Sequence, residues 1–576
     1  MNNSQPNQIV YTNNARCRDC YRCIRVCPVK AIQIKNGQAF VDPQRCIVCG
    51  TCIRECPQGA KTYRHDIEQA ATLAAQRTVA VSIAPSYAAV FPDWQRKRLA
   101  SALRKLGFDY IAETAIGAYL SAKKTVEYTS AKCDMPHICT ACPAVVNYVE
   151  KYNDNYINLL VPAVSPMVAH AKFLKEKYGK NTAVVFIGPC VAKKAEAQRD
   201  EYSSLIDCVL TFEELFIWFE QAGINLKTCE ESDFDDYPPA EARYYSIEGG
   251  WLKTAGCGSD RFDSMYLCVS GFESVEESLK TVAELEKPCI VEPLFCPHGC
   301  INGPGIHTQG NLFTRRTAII EHAGANKPER ISKTPETQAD LTTSFIKRSS
   351  DILKNVSQDK VREVLEKTGK LNEADQLNCG ACGYPTCRQQ AIAVVQGMAE
   401  IDMCIPFMRR LAEQRSDRII ETSPNGMVIV DEDLRILTMN PAFRKMFLCS
   451  ENIFGKNISR LMDPEHFIKV ISGKEETVTA VVYHQRYGLI CHQVFYMLKD
   501  ERQIVGIFLD ITKSHTDHKR LEELKAKTIL QARELYEHQI GMASEFARFL
   551  GEYTAKGEKL IDNLMQLNDN PQEGVD

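Results

Sequence analysis

The sequence predicts a multidomain chain of α/β and α+β modules that ends in a long helix. Three observations predict it. The chain has 576 residues, and at about 150 residues per domain that length suggests roughly four domains. Its 25 cysteines include three dense groups, near residues 17–56, 296–300 and 379–404. The residue pattern also changes along the chain. Short β-rich runs alternate with helix-like stretches over 75–325, a compact alternation fills 415–513, and 514–568 is helical in pattern without a proline.

Composition narrows the classes further. Hydrophobic content of 44% and charged content of 25% exclude disordered, collagenous and purely coiled-coil chains. The 69 basic and 73 acidic residues leave a net charge of −4, so nothing in the total favours nucleic acid. A small secreted disulfide scaffold would carry cysteine at higher density, whereas CxxC-type spacing points to metal in a reducing compartment. The N-terminal MNNSQPNQIVYTNN has no basic or apolar targeting region. Apolar runs such as Val79–Phe91 and Ile157–Ala171 are short of the roughly 18–20 residues that a spanning helix needs. The expectation is a cytoplasmic chain with no membrane span.

Residues 1–70 contain an internal duplication. Cys17, Cys20, Cys23 and Cys27 form one CxxCxxCxxxCP run, and Cys46, Cys49, Cys52 and Cys56 form a second. Three thiolates from one tight loop and a fourth from the other half can close a [4Fe–4S] cube. The pattern assigns Cys17, Cys20, Cys23 and Cys56 to one cluster, and Cys46, Cys49, Cys52 and Cys27 to the other. Structural zinc is the competing use of such thiols. The segment resembles a bacterial two-cluster ferredoxin, which implies single-electron transfer.

Residues 71–325 form the expected α/β core, with strands at Val79–Ile83, Ala183–Ile187 and Pro288–Val291 and helices at Trp94–Leu106 and Pro166–Tyr178. Four of its cysteines lie in loops rich in glycine and proline: Cys142 in TACPAVVNYVEKY, Cys190 in IGPCVAKKAE, and Cys296 with Cys300 in EPLFCPHGCINGPG. Loops after strands are where α/β folds place ligands, and glycine lets backbone amides approach an anionic group. The pattern therefore suggests one large cluster held between two lobes, with Lys193 as a cationic donor. Four buried structural thiols are the plainer alternative.

These three loops match, in order, the signature segments of the [FeFe]-hydrogenases, and the resemblance covers about residues 10–310. It implies that Cys142, Cys190 and Cys296 ligate the cubane of the H-cluster. Cys300 would ligate the cubane and bridge to a two-iron subsite carrying CO, CN and azadithiolate. Lys193 would donate to a cyanide, and Ala84, Pro85 and Ser86 would line the bridge. Gly188, Pro189 and Leu294 would border the same site, with Gly188 and Leu294 where the family carries packing methionines. The implied chemistry is reversible cleavage of dihydrogen, with electrons leaving through the clusters to a ferredoxin-type carrier.

The departures from that pattern concern protons. Where turnover enzymes of the family carry a proton-delivering Cys, this chain has Ala141. A Ser of the path falls at Val161, two acidic positions fall within Lys123-Lys124-Thr125, and a Gln near a carbonyl falls at Met167. Losing a positioned acid–base group costs about 10²–10⁴ in rate. The expectation is a low-turnover, sensory-type enzyme; a catalytic ferredoxin-linked hydrogenase and a non-catalytic iron–sulfur conduit or scaffold are the alternatives. Cys139 is expected to be a spare buried thiol and His298 a solvated loop residue. Cys133, Cys208, Cys229, Cys257, Cys268, Cys289, Cys449 and Cys491 are expected in cores, with His492 beside Cys491 as a weak ligand candidate.

A polar linker is expected over 326–368. Cys379, Cys382, Cys387 and Cys404, over 369–412, form CGACGYPTC plus a distant Cys at the end of a helix expected at Arg388–Met403. They suit a third [4Fe–4S] site, with zinc as the alternative, and the segment resembles a small cluster domain of anaerobic redox proteins. Residues 413–513 begin with strands at Met427–Val430 and Arg435–Met439, then Asn440-Pro441 opening a helix. Strands at Thr477–Tyr483, Ile490–Leu498 and Ile504–Asp510 and the closing Asp510-Ile511-Thr512 follow. This resembles a PAS sensor domain, whose ligand is left open. Residues 514–576 place Leu521, Leu524, Thr528, Leu535, Met542, Phe546, Phe549, Tyr553 and Leu560 on one stripe, suited to a homodimer helix or a partner groove. With no ATP-binding domain after it, His538 is not expected to be a phospho-acceptor. The resemblance implies a regulatory partner, a kinase or a serine phosphatase.

Overall fold

Two all-parallel sheets carry the central region. The first has the strand order Tyr110–Glu113, Val79–Ile83, Ala183–Gly188, Cys208–Thr211. Its inner strands VAVSI and AVVFIG are buried at every position, as expected for strands covered on both faces. The second sheet has the order Tyr266–Ser270, Ile290–Leu294, His137–Ile138. Helices Asp93–Lys105 and Pro166–Tyr178 fall within a residue of their expected bounds, and Ser165 caps the latter through Val168 N. The loops that bear Cys142, Cys190, Cys296 and Cys300 each leave the carboxyl end of one of these strands.

The computed structural model describes residues 8–257, 265–284, 288–306, 310–325, 334–348, 356–473, 475–498, 501–512, 527–531 and 533. They fall in two units, Met1–Ile405 and Pro406–Asp576. Of the C-terminal stripe only Thr528 is among the described residues, in a short helical stretch; the other stripe positions and His538 lie outside them.

The N-terminal module repeats its duplication in the backbone. Strand Val10–Thr12 pairs antiparallel with Lys61–Tyr63, and Ile32–Lys35 with Gln38–Val41. Helices Arg22–Val26 and Thr51–Arg54 each follow a cysteine loop. Left-handed residues recur at equivalent positions, with Asp19 matching Val48 and Tyr21 matching Gly50. Such turns let one loop aim several thiols inward.

A buried polar cluster fixes this module to the core. Lys194 is 1% exposed, and its ammonium donates to Asp66 (2.8 Å), Glu214 (3.0 Å) and the Val209 carbonyl (2.7 Å). Tyr63 adds hydrogen bonds to Thr211 (2.8 Å) and Glu213. Burial pulls the Asp66 carboxyl up, but Arg64 and Lys194 outweigh it and hold it below its ordinary value. A depressed folded-state value means stability that is complete above the unfolded value of about 3.9 and lost as pH falls through the folded one. Asp66→Asn is therefore expected to flatten the acid limb of the stability curve, read as urea midpoints at graded acid pH.

Two stretches differ from the sequence expectation. Part of the expected linker is docked: Val164 N donates to Leu341 O (3.0 Å), Thr343 N to Pro162 O (3.1 Å) and Arg348 N to Glu150 O (2.9 Å). Helix Gln358–Lys367, also within that stretch, packs Val361, Val364 and Leu365 against Cys387 and Ala391 of helix Cys387–Val395. It belongs to the third cysteine module. The helix expected at Arg388–Met403 ends at Val395, because Gly397 turns left-handed (φ 72°) before a short 3-10 turn at Ile401–Met403.

In the second unit, five antiparallel strands run in the order Ile436–Met439, Gly426–Val430, Gln503–Asp510, Leu489–Leu498, Thr477–His484. Asn440 caps helix Pro441–Met446, accepting from Phe443 N (2.9 Å). Phe443, Phe447, Phe467, Phe495 and Phe508 are all under 2% exposed and meet largely edge to face.

Candidate metal-cofactor site

The two sheets open onto one partly open cavity, with about 860 Å³ of atom-free space counting the solvent at its mouth. The first sheet supplies Ala84, Pro85 and Ser86 after Ile83, Thr114 after Glu113, and Pro189, Cys190 and Lys193 after Gly188. The second supplies Ala141 and Cys142 beyond Ile138, and Leu294, Cys296 and Cys300 from the end of Ile290–Leu294. Met167, Tyr245 and Ser246 also line it. The four cysteines singled out from sequence thus meet at a single hollow, although up to 158 positions separate them (300 − 142).

Glycines let the two lobes close. A Cβ on Gly303 would sit 2.5 Å from Pro189 O, and one on Gly299 (φ 87°) would sit 2.7 Å from Ser246 O. Gly305 N donates to Pro189 O at 2.9 Å. Gly188 plays a different part from the one expected. It does not line the cavity, because Phe186 does, and a Cβ at 188 would lie 2.6 Å from that ring. The space of the expected packing residue is taken by a neighbour two positions earlier.

The electrostatics suit a metal-bearing anion. Burial, and the neighbouring Cys142, push the Cys190 thiol up to about 12. Cys296 and Cys300 are pushed up by burial and by their neighbouring thiols. Thiols crowded in this way stay protonated unless a cationic metal takes the proton's place. Lys193 is 8% exposed and donates to Glu196 (2.7 Å) and Ser165 (2.9 Å), with a longer contact of 3.4 Å to Ala141 O. That longest contact is the weakest and the one a bound anion would displace. The Ser86 and Ser246 hydroxyls border the cavity and are buried without a partner. Four thiols, one cation and two unsatisfied hydroxyls fit a large iron–sulfur assembly.

The smaller hollows divide the first eight cysteines. One is lined by Cys17, Cys20, Cys23 and Cys56; the other by Cys27, Cys46, Cys49 and Cys52. Cys49 also lines the central cavity. Among the described residues, no three His, Cys, Asp or Glu side chains are grouped to hold a single metal ion; the thiols surround hollows instead. In the third module Cys387 and Cys404 are buried and Cys379 is exposed. Lys370, which carried no signal in the sequence, donates to Cys404 Sγ at 2.8 Å.

The proton-route positions are apolar or already satisfied. Val161 is fully buried, Thr140 donates to Ala163 O (2.8 Å) and Val161 O (3.2 Å), and Thr125 donates to Ser121 O (2.9 Å). Lys123 is exposed. Cys139 is buried and unpaired, and His298 is an exposed loop residue with φ 65°. Cys208, Cys229, Cys289 and Cys491 are buried, as is His492; Cys257, Cys268 and Cys449 are half-buried. Cys133 corrects the core expectation, standing exposed just past helix Ala115–Ala131. Thr114, Tyr245 and Ser246 were missed. Thr114 could have been found as the residue that follows a β-run, but nothing in the local pattern marks the other two. Glu292, outside the cavity lining, is a buried carboxyl that burial pushes up to about 7 against donation from Trp251 N (2.8 Å) and Gly249 N (2.9 Å).

Comparison with known proteins places families on this geometry. The model for the iron only hydrogenase large subunit, C-terminal domain, matches residues 77–304. A 4Fe-4S dicluster domain matches 9–57, an Fe-S cluster family 375–406 and the PAS fold 414–511. The chain is similar to the NADP-reducing hydrogenase subunit HndD of Solidesulfovibrio fructosivorans, 26% identical over 294 residues, 41% of this chain and 50% of that one. It is also similar to cytosolic iron-sulfur assembly component 3 of Mus musculus, 28% identical over 199 residues, 30% of this chain and 42% of that one. The chain thus spans half the length or less of these two relatives. Among solved structures, a variant of [FeFe]-hydrogenase HydA1 from Chlamydomonas reinhardtii aligns over 50% of this chain and 100% of its own, at 20% identity and a TM-score of 0.40. The chain is a multidomain α/β protein with a ferredoxin-like 4Fe–4S domain, a hydrogenase-like core and a PAS domain. Among the described residues, no helix is long and apolar enough to cross a membrane.

Proposed function

We propose that the chain is a sensory-type [FeFe]-hydrogenase that binds dihydrogen and converts it slowly. The observation that carries this reading is the single cavity in which Cys142, Cys190, Cys296, Cys300 and Lys193 meet beside Ala141, where no side chain can carry a proton. When bound there, an H-cluster supplies an open iron position for heterolytic cleavage of dihydrogen. Cys142, Cys190 and Cys296 would hold its cubane and Cys300 would join the two parts. Lys193 would donate to an anionic ligand while Glu196 and Ser165 hold its ammonium in place. Ser86 would offer its unpartnered hydroxyl to the bridge, and Pro85, Phe186 and Leu294 would keep bulk water out. Cys49, on the wall between cavity and ferredoxin-like module, would mark where electrons cross toward a ferredoxin-type carrier. The PAS domain and the segment after it would pass the state to a regulatory partner, a kinase or serine phosphatase.

The names of the iron–sulfur assembly relatives favour a second reading, a scaffold holding [4Fe–4S] clusters without the two-iron subsite. Infrared spectroscopy of matured protein separates the two. Carbonyl and cyanide stretching bands are expected, and their absence from protein co-expressed with the maturation machinery overturns the hydrogenase reading in favour of the scaffold.

A further inference from the structure

The third cysteine module is docked on the N-terminal module by contacts that converge beside Cys27. Lys30 lies three residues past Cys27, and its backbone N–H donates to the Cys27 carbonyl at 3.3 Å. Its ammonium donates to Ile24 O (2.9 Å) and to Gly383 O (3.0 Å), the carbonyl next to Cys382. Gly383 is left-handed (φ 91°), and a Cβ there would sit 2.8 Å from Ile24 Cγ2, so the two loops touch without room for a side chain. Arg25 spans the same seam, donating to Ala381 O (3.2 Å) and to Cys20 O (2.9 Å). Behind these contacts Tyr384 is 4% exposed, in one apolar cluster with Ile24 and Cys27.

The far side of the seam is also fixed. Ile34 N donates to Met398 O (2.9 Å), and the Glu400 carboxylate accepts from Asn36 N (2.7 Å) and Gly37 N (3.3 Å). Hydrogen bonds to fixed backbone groups at both ends, one of them between the two backbones, hold a module in one orientation more firmly than surface ion pairs could. Cys49, which lines the same hollow as Cys27, also lines the central cavity.

We infer that Lys30 and Gly383 hold the third cysteine site against the Cys27, Cys46, Cys49, Cys52 site as a redox-coupled pair, so that electrons reach the central cavity by two branches. One branch enters through the Cys17 site and the other through the Cys382 site. The exchange is a one-electron step: the reduced member of the pair is oxidised, its neighbour gains that electron, no bond changes and no proton moves. This rests on the reading of these cysteines as [4Fe–4S] ligands.

The test uses the full chain with its clusters reconstituted anaerobically and reduced by dithionite, followed by electron paramagnetic resonance. Splitting or enhanced relaxation of the third-site signal by its reduced neighbour is expected. Gly383→Val, which drives a methyl into Ile24, and Lys30→Gln, which removes the ammonium but adds no bulk to either ligand loop, are each expected to keep the iron content and lose that interaction. Two variants are needed because the first could disturb the Cys382 loop itself. Retention of the splitting in Lys30→Gln overturns the part given to Lys30, and an isolated third-site signal in the wild type overturns the coupling while leaving the cluster assignment standing. If Cys404→Ala changes neither the iron content nor the spectrum, the third site holds no cluster and the assignment itself fails.

Discussion

Restoring a thiol at the cavity is expected to do little by itself. Ala141→Cys should leave dihydrogen turnover within about tenfold of wild type, whereas Ala141→Cys/Val161→Ser/Thr125→Glu should raise it by about 10²–10⁴, the usual worth of a positioned acid–base group. The reason lies behind Ala141. Val161 is fully buried and apolar, the Thr140 hydroxyl is spent on two backbone carbonyls, and Thr125 is bonded back into its own helix. A lone Cys at 141 would sit next to the reacting centre, and neither Val161, Thr140 nor Thr125 behind it could refill its proton. Hydrogen evolution from reduced methyl viologen by matured protein gives the readout, with iron content and infrared bands confirming equal loading. A single Cys that delivers the full gain would mean that water already reaches the cavity, and the route would then be broken at one point rather than several.

Removing the Lys194 ammonium should be the most damaging change outside the cavity. Lys194→Ala is expected to cost about 3–5 kcal/mol, because it strands the buried Glu214 carboxylate without its cation and leaves Asp66 to Arg64 alone. Asp66 and Glu214 both accept from Lys194, and Glu214 also receives the backbone N–H groups of Thr211 (2.8 Å) and Asp66 (2.6 Å). The two carboxylates come from the N-terminal module and the core respectively, so the loss should show as early release of the N-terminal module on denaturation. Guanidinium unfolding followed by cluster absorbance reads this directly. Lys194→Met combined with Asp66→Asn and Glu214→Gln should recover much of the loss, since no uncompensated charge remains buried. A cost below about 1 kcal/mol for Lys194→Ala would place this cluster with ordinary surface pairs.

Much of the architecture was legible because it is written in local pattern. The strands Val79–Ile83 and Ala183–Gly188 read as continuous apolar runs because they are covered on both faces, and Asn440-Pro441 announced its helix through a capping side chain that needs only its immediate neighbours. Cysteine spacing carried the site, since loops after strands must converge where the strands end. What could not be read depends on distant partners. Helix Gln358–Lys367 looked like linker because its apolar residues are few, and they matter only against Cys387 and Ala391. Gly188 looked like a lost methionine, but Phe186 fills that space from the same strand. Tyr245 and Ser246 reach the cavity from a 3-10 segment with no periodicity to mark it, and Lys370 finds Cys404 across 34 positions.

The five phenylalanines inside the second unit limit how that unit can respond to anything. A chromophore or metabolite lodging there would have to evict close-packed rings, and emptying the space of even one such ring costs about 3–5 kcal/mol. With Gly506 admitting the edges of Phe467, Phe495 and Phe508 to within about 3 Å of where its own side chain would begin, the interior behaves as a solid wedge. Force applied to one margin of its sheet would be transmitted to the other margin rather than absorbed in the middle.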